Sequence, residues 1–412
     1  MQLSVIIINF NVKYFLEQCL LSVIKAMKNI DGEIIVIDNN SDDNSFLFFQ
    51  NNFSEVHFIW NKTNNGFAKA NNQALQFAKG DNILFLNPDT IIPEDCFEKC
   101  IAFINQNNCA LGIKMLDGSG NFLKESKRAF PSPATSLFKL FGLAKLFPHS
   151  KIFGKYHLGY LSENENHEVD VLAGAFMMIP KNIMNTVGSF DEDFFMYGED
   201  IDLSFRIQKA GFRNFYYAES SIIHFKGEST KKGTLNYVKM FYKAMSIFVK
   251  KHYGSNRSWL FGFFIHIAIF IRASFSAIAR LLKLKTVQQN KPETETGSTI
   301  IAGSLPEYND VTELLDQAGL KEKHLLRMDP ACFQNLAETI SPDTPENIYS
   351  NKDIKKIIFC EGTLSFKDII EAMPGIPKNI SIQLFSNGCH AIIGSDDRNV
   401  AGNFILKGQE PA

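Results

Sequence analysis

The start of the chain alternates short apolar runs with helical patterns, and this alternation constrains the fold more than any other feature. The apolar runs are Ser4–Phe10, Glu33–Asp38, Val56–Trp60 and Asn82–Asn87, and the clearest helical patterns between them are Val12–Lys28 and Ala68–Lys79. Short apolar runs of this kind are typical of parallel strands buried on both faces. The alternation therefore predicts an α/β fold with a mostly parallel sheet and helices on both faces. Such sheets bind ligands beyond the carboxyl ends of their strands.

The rest of the chain divides into further segments. An irregular region from residue 130 to 168 contains one helical pattern with an apolar face, Ser136–Phe147. Alternation resumes at Val169–Pro180, and a helix is predicted from Asp200 to Ala210. A polar stretch without apolar periodicity indicates a linker, and β-α-β patterning restarts after it. The predicted units are a catalytic domain (1–253), a membrane-associated helical segment (254–285), the linker (286–298) and a small Rossmann-like α/β domain (299–412).

Composition narrows the class of protein. The formal net charge is -2, so no overall field attracts nucleic acid, and no nucleic-acid partner is expected. The seven cysteines are scattered and contain no C-x-x-C pair, which favours buried free thiols in a reducing compartment. The amino-terminal apolar run is short, lacks a basic lead and is followed by polar residues, unlike a signal peptide. We therefore expect a cytoplasmic amino terminus.

Polar side chains follow three of the predicted strands. Asp38 and Asp43 lie in the loop after the second run, where they suit hydrogen bonding to a base or ribose or, equally, an Asx-rich turn. Gly66 and Asn71 follow the third run, where Gly66 allows close approach of backbone N–H groups to a ligand or forms an ordinary turn. Asp89 follows the fourth run within LFLNPDT, a suitable place for binding a cation that bridges a diphosphate, or for capping a turn.

Two further motifs carry chemistry. The stretch GSFDEDFFMYGEDIDLSFR holds Glu199 and Asp200 at the start of a predicted helix, among aromatic residues and other carboxylates. Acidic residues there cap a helix, but a carboxylate in such surroundings can also have a raised pKa and act as a general base. His224 follows another strand-like run and precedes a Gly-Ser/Thr loop. It is either a structural histidine or a ligand for metal or phosphate.

Taken together, these motifs resemble family 2 glycosyltransferases. The resemblance covers Leu3–Tyr253. The motifs that carry it are SVIIINFN, VIDNNSDD, NNGFAKANN, FLNPDT and GAFMMIP…GSFDEDFFMYGEDIDLSFR. Within the family, the sequence is most similar to the rhamnosyltransferase-like branch that builds bacterial surface polysaccharides. It implies the GT-A fold. It also implies roles by position: Asp200 as catalytic base with support from Glu199, Asp89 and His224 at a metal, and a nucleotide-sugar pocket formed by Asp38, Asp43, Gly66, Phe67, Asn71 and Asn87. Asn87 stands where a full D-x-D motif has its first Asp.

The resemblance further implies an inverting transfer from a nucleotide-diphospho-sugar to a hydroxyl of a lipid-linked or oligosaccharide acceptor. Mg²⁺ or Mn²⁺ is the expected cofactor. Asp200 would remove the proton from the acceptor hydroxyl in a single displacement. Two alternatives stay open: a catalytically silent membrane-bound scaffold, favoured only by Asn87, and a sugar-nucleotide nucleotidyltransferase. The second would require glycines after the first strand, which FNVKYFLEQ lacks.

The segment 254–285 indicates contact with the cytoplasmic face of the inner membrane. Its uncharged run, Trp259–Ile271, has thirteen residues, fewer than the ~20 needed to cross a bilayer core. Basic residues flank it, and Arg272, Arg280 and Lys283 form a cationic stripe, which favours a helix in the interface over a single span. The apolar face of Ser136–Phe147 is a second candidate for membrane contact. The sequence leaves the oligomeric state open.

Overall fold

The computed structural model describes residues 1–50, 52–132, 134–135, 138, 141–225, 235–253, 297–320, 324–329, 354–394 and 403–406. The predicted membrane-associated segment and the linker up to residue 296 lie outside these ranges, as do Lys226 and Ser229 after His224. Within the described ranges, no helix combines the length and the apolar character that a membrane crossing requires.

The four predicted strands form one half of a nine-stranded sheet. They are β1 (Leu3–Asn9), β2 (Gly32–Asp38), β3 (Val56–Trp60) and β4 (Asn82–Leu86), with bounds that differ from the predicted ones by at most one residue. Their order is β3-β2-β1-β4, and every neighbouring pair is parallel. Since all four strands run in the same direction, the loops after them meet at one edge of the sheet. These loops follow Asn9, Asp38, Trp60 and Leu86.

The other half of the sheet is mixed, so the prediction of a mostly parallel sheet is wrong. Its strands are β5 (Thr90–Ile91), β6 (Ala110–Leu116), β7 (His167–Glu168), β8 (Phe176–Pro180) and β9 (Asn214–His224). The strand β8 lies antiparallel between β4 and β6, β9 is parallel to β6, and β5 and β7 are antiparallel to β9. The chain reaches β8 through a long excursion after β6, and an antiparallel neighbour needs no crossover helix. Apolar alternation alone does not determine strand direction.

Helices cover both faces of this sheet, as predicted. They are α1 (Lys13–Ala26), α2 (Ser45–Phe49), α3 (Phe67–Leu75), α4 (Cys96–Asn107), α5 (Leu143–Leu146), α6 (Lys181–Val187), α7 (Glu199–Lys209) and α8 (Leu235–Tyr253). Alternate residues of β1 point to opposite faces: Val5 and Ile7 share a core with α1 and α4, whereas Ile6 and Ile8 share one with α3 and α7. This two-sided burial explains why the strands read as uninterrupted apolar runs.

A second, six-stranded sheet begins at Ser298. Its strands are β10 (Ser298–Ala302), β11 (His324–Met328), β12 (Ile354–Glu361), β13 (Ser381–Ser386), β14 (Ala391–Gly394) and β15 (Asn403–Leu406), accompanied by α9 (Leu305–Gln317) and α10 (Phe366–Ala372). The order is β11-β10-β12-β13-β14-β15, parallel through β13 and antiparallel beyond it. The chain therefore contains two α/β units. A capping box between Ser304 and Glu307 begins α9.

The two units pack on each other through α1. Gln18, which is fully buried, donates to the Ala391 carbonyl oxygen at 2.9 Å and accepts from Ser386 Oγ at 2.6 Å. Lys25 pairs with the buried carboxylate of Glu361. The six described cysteines are free and buried, as predicted, while Cys332 lies outside the described residues. The carboxy-terminal unit is thus joined to the helix that follows β1, one of the strands that end at the candidate site.

Candidate functional site

A cavity of about 450 Å³ lies beyond the carboxyl ends of β1, β2 and β4 and faces the start of α7. Seven of the predicted site residues line it: Gly66, Phe67, Asn87, Asp89, Glu199, Asp200 and His224. The parallel strands bring the early loops together at this edge, while α7 and β9 add their residues from the opposite side. The cavity therefore unites motifs that are far apart in the sequence.

Asp89, His224 and Asn87 form one polar cluster in the cavity wall. Thr90 of β5 pairs with His224 of β9, which places the imidazole beside the Asp89 carboxylate. His224 Nε2 lies 3.3 Å from Asp89 Oδ1 and 3.3 Å from Asn87 Nδ2. Both Asp89 and His224 are buried. The carboxylate oxygen and the imidazole nitrogen therefore converge on one point of the cavity.

Two converging donors are few for a metal site made by protein alone. Among the residues that the structure describes, no group of three His, Cys, Asp or Glu side chains is arranged to hold a metal ion. Magnesium, however, is commonly bound through one or two carboxylates together with substrate phosphates and water. The Asp89–His224 pair fits a cation that takes its remaining ligands from a bound diphosphate.

Asp200 is held by an arginine that the sequence did not point to. Asp200 Oδ2 accepts from Arg128 Nη2 at 2.5 Å and from Gly174 N at 3.3 Å. The same Arg128 nitrogen donates to the Leu172 carbonyl oxygen at 2.6 Å. Both charged side chains are largely buried, with exposed fractions of 12% for Arg128 and 13% for Asp200. The ion pair therefore ties the start of α7 to the segment that carries Arg128.

Glu199, the neighbour of Asp200, has a different environment. Burial, reinforced by the Asp200 charge, raises the pKa of Glu199 to about 8. Its Oε2 atom is buried and makes no hydrogen bond. At neutral pH the carboxyl group of Glu199 is therefore mainly protonated and available as a hydrogen-bond donor. The two adjacent carboxyl groups thus differ in their surroundings: Asp200 pairs with Arg128, whereas Glu199 Oε2 has no hydrogen-bond partner.

Gly66 brings backbone close to the cavity, as its position after β3 suggests. Its φ of +81° lies in the left-handed region, and a Cβ atom there would lie 2.6 Å from the Phe195 carbonyl oxygen. That oxygen accepts from Phe67 N at 2.8 Å, which ties the start of α3 to the segment before α7. Asn39 and Asn64, joined by a hydrogen bond of 2.9 Å, line the cavity beside them.

The sequence of the first unit matches a known family. Residues 4–181 match the sequence profile described as Glycosyl transferase family 2. The chain carries a family 2 glycosyl transferase domain. The matched range includes the β1, β2 and β4 ends and Asp89, and it stops before α7, so Glu199, Asp200 and His224 lie beyond it.

Named relatives of the glycosyl transferase domain build glycans. The chain is 28% identical over 212 residues to the low-salt glycan biosynthesis hexosyltransferase Agl10 of Haloferax volcanii, covering 50% of this chain and 62% of that protein. It is 30% identical over 171 residues to rhamnosyltransferase WbbL of Escherichia coli, covering 39% and 61%. A third relative, from Mycobacterium tuberculosis, is named N-acetylglucosaminyl-diphospho-decaprenol L-rhamnosyltransferase, at 32% identity over 87 residues, or 21% of this chain and 28% of that protein.

These similarities are partial. The chain spans about three-fifths of the length of the first two relatives, and less of the third. Among solved structures, Staphylococcus aureus TarS 1–349 in complex with UDP-GlcNAc is 18% identical, with a TM-score of 0.40 over 61% of this chain and 67% of that one. That score is too low to support a conclusion about ligands.

Three predicted residues of the glycosyl transferase domain do not line the cavity. Asp38 is buried, where it accepts from Asn9 Nδ2 at 2.7 Å and from Ser41 N at 2.8 Å. Asp43 accepts from Lys13 N at 3.0 Å and so ties its loop to α1. Asn71 is buried and donates to the Phe67 carbonyl oxygen within α3. Asp38 and Asp43 therefore hold the loop after β2 in place, whereas the Asn71 side chain bonds within α3.

Sequence reasoning missed several cavity residues of the same domain. Asn39 and Asn64 lie directly beside predicted positions, so the polar loops that contain them were a usable signal. Arg128 carried no such signal, because its partner Asp200 lies 72 residues away. Met240 of α8 also lines the cavity, although its helix lay outside every motif.

The helix terminus after β10, a candidate for nucleotide binding in the second unit, is occupied by a side chain of the chain itself. Glu307 Oε2 accepts from Ser304 N at 2.6 Å, and Glu307 Oε1 accepts from Thr363 N at 2.8 Å. Burial alone would raise the pKa of Glu307, but these hydrogen bonds lower it below its ordinary value. Since the carboxylate fills the place that a phosphate takes in a dinucleotide-binding turn, the structure favours packing over nucleotide binding here.

Proposed function

We propose that this protein is an inverting glycosyltransferase of the GT-A type that moves a sugar from a nucleotide-diphospho-sugar to a hydroxyl of a lipid-linked saccharide acceptor. One observation carries the proposal: the Asp200–Arg128 pair and the Asp89–His224 pair line the same cavity of a family 2 glycosyl transferase domain. The first pair supplies a carboxylate for proton removal, and the second would hold a cation that neutralises the negative charge on the leaving group.

The nucleotide-sugar is expected along the strand ends. Asn39 and Asn64 offer amide groups near the ends of β2 and β3, and Gly66 lets the backbone at the start of α3 approach a ligand. The diphosphate would then lie near Asn87 and Asp89. A divalent cation held by Asp89 and His224 would neutralise charge on the departing nucleoside diphosphate.

The acceptor hydroxyl is expected on the α7 side. Asp200, which Arg128 holds in the cavity wall, is the group that accepts the proton of the hydroxyl. Glu199, mainly protonated at neutral pH, donates a hydrogen bond instead of competing as a base. With one base and no enzymic nucleophile, the oxygen attacks the anomeric carbon directly and the configuration inverts.

The names of the relatives support a proposal for the acceptor and for the cellular location of the reaction. One relative is named for a decaprenol diphosphate that carries N-acetylglucosamine, and another for rhamnosyl transfer. We infer a saccharide on a polyprenyl diphosphate as acceptor, at the cytoplasmic face of the inner membrane, with a hexose such as rhamnose as donor sugar.

Nucleotide release from a panel of UDP-, GDP- and dTDP-sugars tests the proposal. The purified chain is incubated with Mg²⁺ or Mn²⁺, with and without a synthetic polyprenyl-diphospho-N-acetylglucosamine. The expected result is slow hydrolysis of one donor that accelerates with the acceptor and yields a product of inverted anomeric configuration by NMR. Donor binding without release from any sugar, with or without acceptor, would instead identify a silent scaffold.

A further inference from the structure

A short segment in the excursion between β6 and β7 exposes four large apolar side chains. Phe141, Leu146, Phe147 and Ile152 have exposed fractions of 61%, 70%, 53% and 63%. Leu146 and Phe147 follow each other at the end of α5, and the Phe147 ring packs against that of Phe153 with centroids 5.6 Å apart. Residues 141–155 are called the loop surface below. Contiguous exposed apolar groups of this size mark interaction sites.

The loop surface is also basic. Lys145, Lys151 and Lys155 are exposed. No Asp or Glu occurs between Glu125 and Glu163. Aromatic and aliphatic side chains among lysines, without acidic residues, are typical of segments that lie in the headgroup region of anionic bilayers.

The loop surface is tied to the active site at its base. Ala129 N donates to the Tyr156 carbonyl oxygen at 2.9 Å, which closes the chain between them into a loop. Arg128, next to Ala129, holds Asp200. Burial raises the pKa of the Tyr156 hydroxyl, which lies beside the Arg128 guanidinium. The base of the loop surface is therefore connected through Arg128 to Asp200, the proposed base.

We propose that the loop surface docks on an anionic lipid bilayer. Leu146 and Phe147 enter the boundary between headgroups and acyl chains, while Lys145, Lys151 and Lys155 contact lipid phosphates. This inference rests on the proposed function, since it brings Asp200 to the height at which the saccharide of a lipid-linked acceptor leaves the membrane. It adds a membrane contact that is separate from the segment 254–285.

The apolar segment 254–285 is less suited than an anionic bilayer to cover the loop surface. It contains five basic residues and no acidic ones: Arg257, Arg272, Arg280, Lys283 and Lys285. Two basic surfaces repel each other, whereas anionic headgroups attract both. The positive charge of the loop surface therefore favours an anionic bilayer as its binding partner over the basic segment 254–285.

A spin label at position 146 tests the contact directly in the full chain. The label is attached to Leu146→Cys in a Cys332→Ser background, because the six described thiols are buried. On addition of vesicles that contain phosphatidylglycerol, its collision rate with a water-soluble nickel chelate should fall, and that with oxygen should rise. Pure phosphatidylcholine vesicles should produce neither change. The matched control is Phe77→Cys, an exposed aromatic position (43%) in a different segment.

The lysines provide a second measurement. Replacing Lys145, Lys151 and Lys155 by Gln should weaken the docking of the loop surface, so that half-maximal protection of the label at 146 requires roughly 10- to 100-fold more anionic lipid. The control triple variant replaces Lys28, Lys62 and Lys209, which are exposed in other segments. Hydrolysis of a soluble nucleotide-sugar should be unchanged in both variants.

The outcomes separate this inference from the proposed function. A label at 146 that stays in water while the protein binds anionic vesicles refutes the docking surface, as does absence of vesicle binding. Protection at 146 in a protein that hydrolyses no nucleotide-sugar supports the docking surface and refutes the proposed function. Equal protection by neutral and anionic vesicles would remove the role of the lysines and overturn the inference as stated.

Discussion

Arg128 and Asp200 form a largely buried ion pair, with Nη2 and Oδ2 2.5 Å apart, across 72 residues of sequence. Arg128 stands at the base of the loop that carries residues 141–155, and Asp200 opens α7. The pair therefore joins the segment that carries the loop surface to the helix that carries the proposed base. It also distinguishes Asp200 from Glu199, whose pKa is raised to about 8 by burial and by the Asp200 charge.

Asp200→Asn should reduce sugar transfer by roughly 10²- to 10⁴-fold, the usual contribution of a general base. Donor binding should be nearly unchanged, because the amide keeps the shape of the side chain. Transfer rates and calorimetric donor binding measure the two effects. The control is Asp191→Asn, which removes a carboxylate that pairs with Lys251 and does not line the cavity. Transfer within about tenfold of wild type would remove Asp200 from the role of base.

Glu199→Gln should change how stability depends on pH. Because burial raises the pKa of Glu199 to about 8, the folded state keeps a proton that the unfolded state releases above its ordinary pKa of 4.5. The free energy of unfolding should therefore fall as pH rises from about 5 to 8, by at most ~1.4 kcal/mol per pH unit from this group. The glutamine variant lacks this contribution. Urea denaturation at several pH values measures the difference, with the exposed Glu55→Gln as control, and parallel curves for wild type and Glu199→Gln would contradict it.

Asp89→Asn should weaken donor binding in the presence of Mn²⁺ and make it insensitive to added cation. The reason is that the Asp89 carboxylate and His224 Nε2 converge on one point, 3.3 Å apart, and the amide removes the charged ligand. Donor titrations with and without Mn²⁺ test this. Asp193→Asn, exposed and away from the cavity lining, serves as control. An unaltered response to Mn²⁺ would show that the cation binds elsewhere.

Gly66→Ala should destabilise the domain and lower donor affinity. Any Cβ at its φ of +81° and ψ of 170° costs roughly 1–3 kcal/mol, and here it would also lie 2.6 Å from the Phe195 carbonyl oxygen. Gly188→Ala is a matched control, because its φ of 79° and ψ of 178° are nearly the same but no atom lies within 4 Å of the added Cβ. Thermal unfolding should therefore show a larger loss for Gly66→Ala. Equal losses would mean that backbone conformation alone accounts for the glycine.

Gln18→Ala should loosen the contact between the two α/β units. The substitution leaves the buried Ala391 carbonyl oxygen and Ser386 Oγ without their partner, at a cost of about 1–3 kcal/mol. Hydrogen exchange in β13 and β14 should increase along with the loss of stability. Gln73→Ala, which removes a less buried hydrogen bond to Asn61, is the control. Unchanged exchange in those strands would show that the units are held together without this contact.

Local sequence pattern anticipated a large part of the fold and the cavity. The β1, β2, β3 and β4 strands were recognisable because two-sided burial requires uninterrupted apolar runs. The loops after them had to meet at one edge because the strands are parallel, so the sequence predicts that Gly66 and Asp89 lie at the same edge of the sheet. The second sheet after the linker was visible for the same reason.

The hydrogen-bond partners of other polar side chains near the site could not be predicted from the local sequence. Asp38 and Asp43 have the composition expected of ligand contacts, yet they hold their loop to Asn9 and Lys13. Asx-rich loops satisfy either use with the same residues, and only the positions of neighbouring backbone donors distinguish them. The roles of these carboxylates toward a bound nucleotide stay predictions.

By itself, then, the sequence determined the elements, their burial and the ends of the strands at which polar loops collect, since each depends on periodicity within a few residues. The tertiary structure alone decided the antiparallel insertion of β8 between β4 and β6. It also decided that Arg128 faces Asp200 and that Gln18 meets Ala391, 373 residues away. Such contacts depend on how distant segments pack once their apolar faces are buried, and no local pattern records which partner fills the space.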